Sequence, residues 1–314
     1  MSRRSLSCAN DALVDEIAAE ALSAGATALG ACLAGFFAAA AKSDDVLFSP
    51  LSIILGGVGT GGRAFDGRLR QPGLGVKRPR GFISEAEVPI AARIAIPCGI
   101  AAAAVACAYQ AGTSLSGALR PALQLAKKAG GARVDSLERV RQLGGNALRD
   151  PLFARPLQLL AGPSEGGVVS AEDLVPQQAL DVALTTREAS CGLLQEPPWV
   201  ADPSTLPDAG DENVRVVLAV DVHGSFAALS FQRVSGPLLE GLDLRAPLGG
   251  LAVMRGVPRH KPGSALPAPA PIGLLLGENG AVKAVVAQPG APRVDTPSIM
   301  LARDASTRRV ERVK

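Results

Sequence analysis

The sequence predicts an α+β fold whose helices and strands occupy separate layers. Three observations carry this: Ala-rich helical patterns fill the front of the chain, hairpins with clear turn signals fill the back, and no strand–helix alternation of the βαβ kind joins them. The 314 residues (31.9 kDa) are enough for one large domain or two ordinary ones, with ample length for a core. Hydrophobic residues make up 47% and charged residues 19%, which excludes a disordered chain. A net charge of +3 with one Trp and one Tyr is too little field and too few stacking rings for general nucleic-acid binding.

Residues 11–42 read as one long Ala-rich helix or a helix pair, with Asp15 and Glu16 in the first turn where the helix dipole favours acid. The 21 residues from Ala21 to Ala41 carry no charge, a length that could span a bilayer. Ten are Ala and three Gly, so a buried core helix is the better reading, because Ala drives insertion far less than Leu or Phe. Val46–Leu55 is strand-like and runs into a glycine cluster ending at Gly62. Arg63–Gly81 shows no period and reads as a basic loop. Ile94–Gly112 is a second Ala-rich segment, and Leu115–Lys128 spaces its apolar residues by three and four, as a helix does. Pro151–Asp211 turns rich in Pro, Gly and acid, which suggests surface excursions with short helical pieces. Val214–Val220 and Phe226–Phe231 flank a turn at Asp221-Val222-His223-Gly224, and Ile272–Leu276 and Ala281–Ala287 flank Gly277-Glu278-Asn279-Gly280. Pro297–Ala302 adds a last strand before a basic tail, Arg303–Lys314.

The five cysteines, at wide and irregular spacings without a C-x-x-C pair, fit neither a disulfide framework nor a zinc site. With only His223 and His260 besides, both at turn-like positions, no metal and no cofactor is expected. Acidic residues fall where a secretory signal would be apolar, so a cytoplasmic location is expected, with no membrane span. Gly57-x-Gly59-x-x-Gly62 matches a dinucleotide-loop spacing, but Gly67, Pro72 and Gly73 interrupt the helix that should follow it. A sharp glycine turn is the better reading. The basic clusters 63–80 and 303–314 read as solvated surface.

At the two hairpins the chain resembles the small-subunit half of the γ-glutamyltransferases. The matching segments are Val214–Arg233, Pro262-Gly263-Ser264-Ala265-Leu266-Pro267 leading into the second hairpin, and Gln288-Pro289-Gly290-Ala291-Pro292-Arg293-Val294. In that family a strand ending in V-V-D-x-x-G, a P-G-K-R-P-L-S-S loop and a P-G-G-S-R-I turn occur in this order. The front agrees: Asn10–Ala41 is similar to the family's first Ala-rich helix, Leu55–Gly62 to its glycine loop, Ile96–Leu125 to its V-P-G segment and next helix, and Gly166–Leu174 to its G-G-x-x-x-x-E-D-L turn. Thr296–Met300 is similar to a late T-Q-S-I-M strand. The resemblance implies an αββα sandwich of the N-terminal-nucleophile hydrolase type. Residues 1–210 would correspond to the large-subunit half and 211–314 to the small-subunit half, both within one domain. The family is longer, and the shortfall falls between Leu174 and Val214 and between Val294 and Asp295.

The resemblance also implies self-cleavage that exposes a catalytic Thr, and there this chain departs from the family. Counting back from Asp221 puts the nucleophile at or next to Val214, in Glu212-Asn213-Val214-Arg215-Val216, where neither a Val nor an Arg side chain has a hydroxyl or thiol to attack a carbonyl. Pro267 and Ala268 replace the paired serines. Gly290, Ala291 and Pro292 stand at the oxyanion turn, where Pro offers no N–H donor. The substrate-carboxylate arginine has an approximate counterpart in Lys77 or Arg78, so Lys77, Arg78, Gly290 and Ala291 are the substrate-binding candidates. The expected function is that of a catalytically degenerate relative acting in binding or assembly, as a homo-oligomer or beside an active relative. The alternative is an active amide-bond hydrolase or acyl transferase with a relocated nucleophile among Thr185, Thr186, Ser190, Cys191, Ser204 and Thr205.

Overall fold

The structure is a computed structural model and describes residues 4–57, 60–77, 81–131, 133–175, 180–201, 213–289, 293–295 and 297–313. Among them are six α-helices and twelve strands. The Ala-rich front forms a helix pair, α1 (Ala12–Ser23) and α2 (Ala28–Lys42), rather than one helix. The break has local causes. Gly25 turns the chain at φ +88°, and Thr27 restarts it by accepting a hydrogen bond from the Gly30 N–H through its hydroxyl. The abundance of small residues allows close packing: a Cβ on Gly35 of α2 would lie 2.8 Å from Val14 Cγ1 of α1. The remaining helices are α3 (Gly99–Tyr109), α4 (Leu115–Ala129), α5 (Arg133–Leu143) and α6 (Pro151–Ala161).

Two antiparallel sheets stack beneath the helices. The first has the order β1 (Leu6–Ala9), β7 (Val214–Val220), β8 (Ser225–Gln232), β2 (Leu51–Gly57), β3 (Thr60–Gly67), β4 (Asp181–Ala183). The second runs β12 (Val310–Val313), β11 (Ile299–Arg303), β10 (Val282–Ala287), β9 (Ile272–Leu276), β6 (Gly192–Glu196), β5 (Thr185–Ala189). The front and back of the chain therefore share the first sheet. Its strands are apolar on both faces, as a middle layer requires. Val217 and Ala219 of β7, Leu229 and Phe231 of β8, and Ile53 of β2 face the helices, where Phe36 meets Phe231 edge to face at 5.2 Å. Their alternating neighbours Val216, Leu218, Ala228 and Ile54 face the second sheet and pack with Ile272, Leu274, Val285 and Leu301. The helices pack on the first sheet's outer side. The second sheet's outer side, where an αββα order has its other helical layer, is closed around Leu194, Leu275 and Val286 by Val294 and the partly buried Cys191 and Met300.

Three sequence expectations are corrected. The stretch read as loop from Arg63 begins inside β3, whose glycines hide its strand character; pairing with β2 imposes the extended backbone. This also removes the helix that a phosphate-binding loop would need after Gly62. The segment read as surface excursions supplies β4, β5 and β6 as well as α6. The basic tail ends in edge strand β12, paired with β11, and the N-terminal residues Leu6–Ala9 form edge strand β1. Short edge strands rich in charge or glycine leave little apolar pattern to read.

Candidate functional site

The start of β7 is occupied by Val214, 4% exposed and packed into the core between the sheets. It lies opposite Gln232 at the end of β8. Its carbonyl is doubly engaged. The Val214 carbonyl accepts from Asn10 Nδ2 and Arg215 Nη1, both at 3.1 Å, and Asn10 Oδ1 accepts from the Val216 N–H at 2.9 Å. Asn10 thus extends the pairing of β1 along the edge of β7 with its side-chain amide.

Beside this strand start, past Gln232, lies a cleft of about 570 Å³. Its walls come from five segments: Pro50 before β2, Leu69 after β3, Arg233–Ser235 after β8, and the loops carrying Leu248–Leu251 and Ala265–Pro267. His260 stands at its exposed rim. Asp45 clamps Arg233: Nε donates to both carboxylate oxygens at 3.0 and 2.9 Å, and Nη2 reaches Ser43 Oγ at 3.0 Å.

The other predicted residues are scattered. Thr185 and Thr186 on β5, and Ser190 and Cys191 in the turn to β6, belong to the far edge of the second sheet. β11 stacks on β7, β10 on β8 and β9 on β2. At a strand spacing of roughly 4.8 Å, β5 is therefore about 19 Å from the strand that covers β7. The hydroxyl of Thr185 donates to the Glu196 carbonyl and that of Ser190 to the Asp295 carbonyl, so both serve the hairpin. Lys77 is exposed and lines a separate apolar depression of about 460 Å³ with Phe82, Leu251 and Val253. Pro267 lies in the wall of the cleft, and Ala268 is buried between the sheets. Arg78, Ser204, Thr205, Gly290 and Ala291 lie outside the described residues.

Reading the 63–80 cluster as solvated surface is also corrected. Arg68 and Arg70 are buried, 9% and 8% exposed, around Asp66. Arg68 donates to Asp66 through Nε and Nη2, each at 2.9 Å, and Arg70 donates through Nη2 at 3.0 Å. Arg68 also lies 4.7 Å over the ring of Trp199. Burial pushes the Asp66 carboxyl up, but the two arginines outweigh it and hold it below its ordinary range. The signal in the sequence is the i, i+2, i+4 spacing of Asp66, Arg68 and Arg70, which places all three on one side of an extended chain. Cys98, next to Arg70, is pushed by burial up to about 11 despite that cation.

Asp221, expected as a motif residue, acts as a structural clamp. One carboxylate oxygen accepts from the His223 and Ser225 N–H groups, and the other accepts from the Ala28 N–H at the start of α2, all at 3.0 Å. A tight turn and a helix N-terminus thus share one buried anion. His223 is exposed in that turn. Among the described residues no group of His, Cys, Asp and Glu could hold a metal ion, and no helix is long and apolar enough to cross a membrane.

A helical layer over two stacked antiparallel sheets is an α+β fold of the N-terminal-nucleophile hydrolase type. The particular similarities are to solved structures. The cephalosporin acylase from Bacillus halodurans superposes with a TM-score of 0.67 at 12% identity, over 89% of this chain and 76% of that one. A single-residue variant of LmbA2991 gives a TM-score of 0.61 at 15% identity, over 92% and 79%. No family model and no curated protein matches the sequence.

Proposed function

We propose that this chain is a degenerate relative of amide-cleaving acylases, one that binds a ligand in the cleft beside β7 and does not cleave it. The observation that carries this reading is Val214: the strand start that should offer a nucleophile presents a buried isopropyl group, with its backbone locked by Asn10. Nucleophilic catalysis needs a hydroxyl, thiol or amine within reach of a base, and Val supplies none. The hydroxyls of Thr185 and Ser190 bond to backbone carbonyls of the second sheet's far edge and its flanking segment, which supports the same reading.

Prolonged incubation of the purified chain followed by a denaturing gel and N-terminal sequencing tests it. One band at the full 31.9 kDa is the expected result. Two self-generated fragments with a new terminus at Thr185, Thr186, Ser190, Cys191, Ser204 or Thr205 would overturn it in favour of an active hydrolase or acyl transferase.

A further inference from the structure

The chemistry of the cleft beside β7 narrows what can occupy it. Among the described residues no Asp, Glu or Lys lines it, and the one permanent cation among them, Arg233, is paired with Asp45. The walls are mainly aliphatic: Leu69, Val234, Leu248, Leu251 and Leu266. A zwitterionic head group would give up hydration here without an opposite charge to receive its ammonium, a large penalty. An uncharged aliphatic group gives up nothing comparable and gains from every methylene buried. The exposed Ser235 supplies a hydroxyl that suits one neutral polar end.

The walls are also preformed. Gln71 holds Leu251 through both backbone groups, at 2.8 and 2.9 Å. The Arg93 carbonyl accepts from the Gly249 and Gly250 N–H groups, the Leu266 N–H donates to the Leu69 carbonyl, and the Val234 N–H donates to the Asp45 carbonyl. A cleft of about 570 Å³ with pinned walls falls within the usual range of small-molecule sites, roughly 300–1,000 Å³. Leu251 also borders the neighbouring apolar depression next to Lys77, so the aliphatic surface continues past the cleft.

From this geometry we infer that the cleft is a binding site for neutral, linear aliphatic amides, with the amide at Ser235 and the chain running along Leu248 towards Leu251. The inference rests on the proposal that the cleft binds without cleaving.

Thermal unfolding of the full chain with hexanamide, octanamide and decanamide, and with γ-glutamylanilide as the zwitterionic counterpart, tests it. Binding to the folded state raises the melting temperature with concentration. Octanamide is expected to do so, with affinity rising by up to about fourfold per added methylene. γ-Glutamylanilide is expected to have no effect. Ser235→Trp, at an exposed position, should leave the melting temperature unchanged and abolish the octanamide response; Leu248→Gln should weaken it. No response to any amide, a stronger response to γ-glutamylanilide, or an undiminished response in Ser235→Trp would overturn the ligand class. Octanoate release is assayed in the same samples: a bound and hydrolysed amide would overturn the non-catalytic reading and leave the ligand class standing.

Discussion

Replacing Asp66 by asparagine removes the anion that two buried arginines share. Asp66 accepts Arg68 through Nε, Nη2 and the backbone N–H and Arg70 through Nη2, all within 3.1 Å, and both guanidiniums are about one-tenth exposed. Asparagine offers one acceptor oxygen and no charge, so the variant buries two cations without a counter-charge. Breaking a buried pair on one side costs about 3–5 kcal/mol, a large part of the roughly 5–15 kcal/mol that holds a typical domain folded. Urea unfolding followed by intrinsic fluorescence suits the question, because Trp199, the chain's one tryptophan, lies against Arg68. The effect of pH has a definite sign. Burial raises the Asp66 carboxyl but the arginines lower it further, to below its ordinary 3.8, so its contribution is complete above that value and fades as the pH falls through the folded-state value. The gap between wild type and Asp66→Asn should therefore narrow in acid. A loss under about 1 kcal/mol at neutral pH, typical of an exposed pair, or a gap unchanged below pH 4, would refute the reasoning.

Asp221→Ala should destabilise by about 3 kcal/mol, since it leaves three backbone N–H groups, two in the turn and one at the start of α2, without their carboxylate acceptor. Faster hydrogen exchange at Ala28 would mark the helix start; a loss under about 1 kcal/mol would contradict the clamp. Cys98 and Cys107, pushed by burial up to about 11 and about 12, should resist iodoacetamide at pH 8 in the folded chain and react fully in urea. Labelling of Cys98 in native buffer as fast as a free thiol would mean that Arg70 outweighs burial at that sulfur.

Periodicity and turn chemistry made much of the architecture legible: α4 from its three-and-four spacing, both back-half hairpins from alternation and glycine turns, and the α1–α2 region from its run of small residues. What stayed hidden was stabilised from elsewhere. β1 and β4 are short edge strands whose backbone is held by a neighbour distant in sequence, β12 is a short charge-rich edge strand folded back on β11, and β3 carries glycines that no local preference would place in a strand. The nucleophile position followed from the resemblance and from counting back to Asp221, and the absence of a hydroxyl at Val214 is a fact of sequence alone. The cleft beside it is built by segments around residues 50, 69, 234, 250 and 266, and nothing local to any of them announces a shared wall.

By itself, then, the sequence determined the class of fold and the missing group at the start of β7, because side-chain period and residue identity are local properties. Only the tertiary structure decided that Arg68 and Arg70 are buried, that Thr185, Thr186, Ser190 and Cys191 belong to the far sheet edge, and that a largely aliphatic cleft lies beside Gln232. Burial, charge pairing and enclosure depend on which distant segments meet, and that is settled by packing rather than by any residue's own neighbours along the chain.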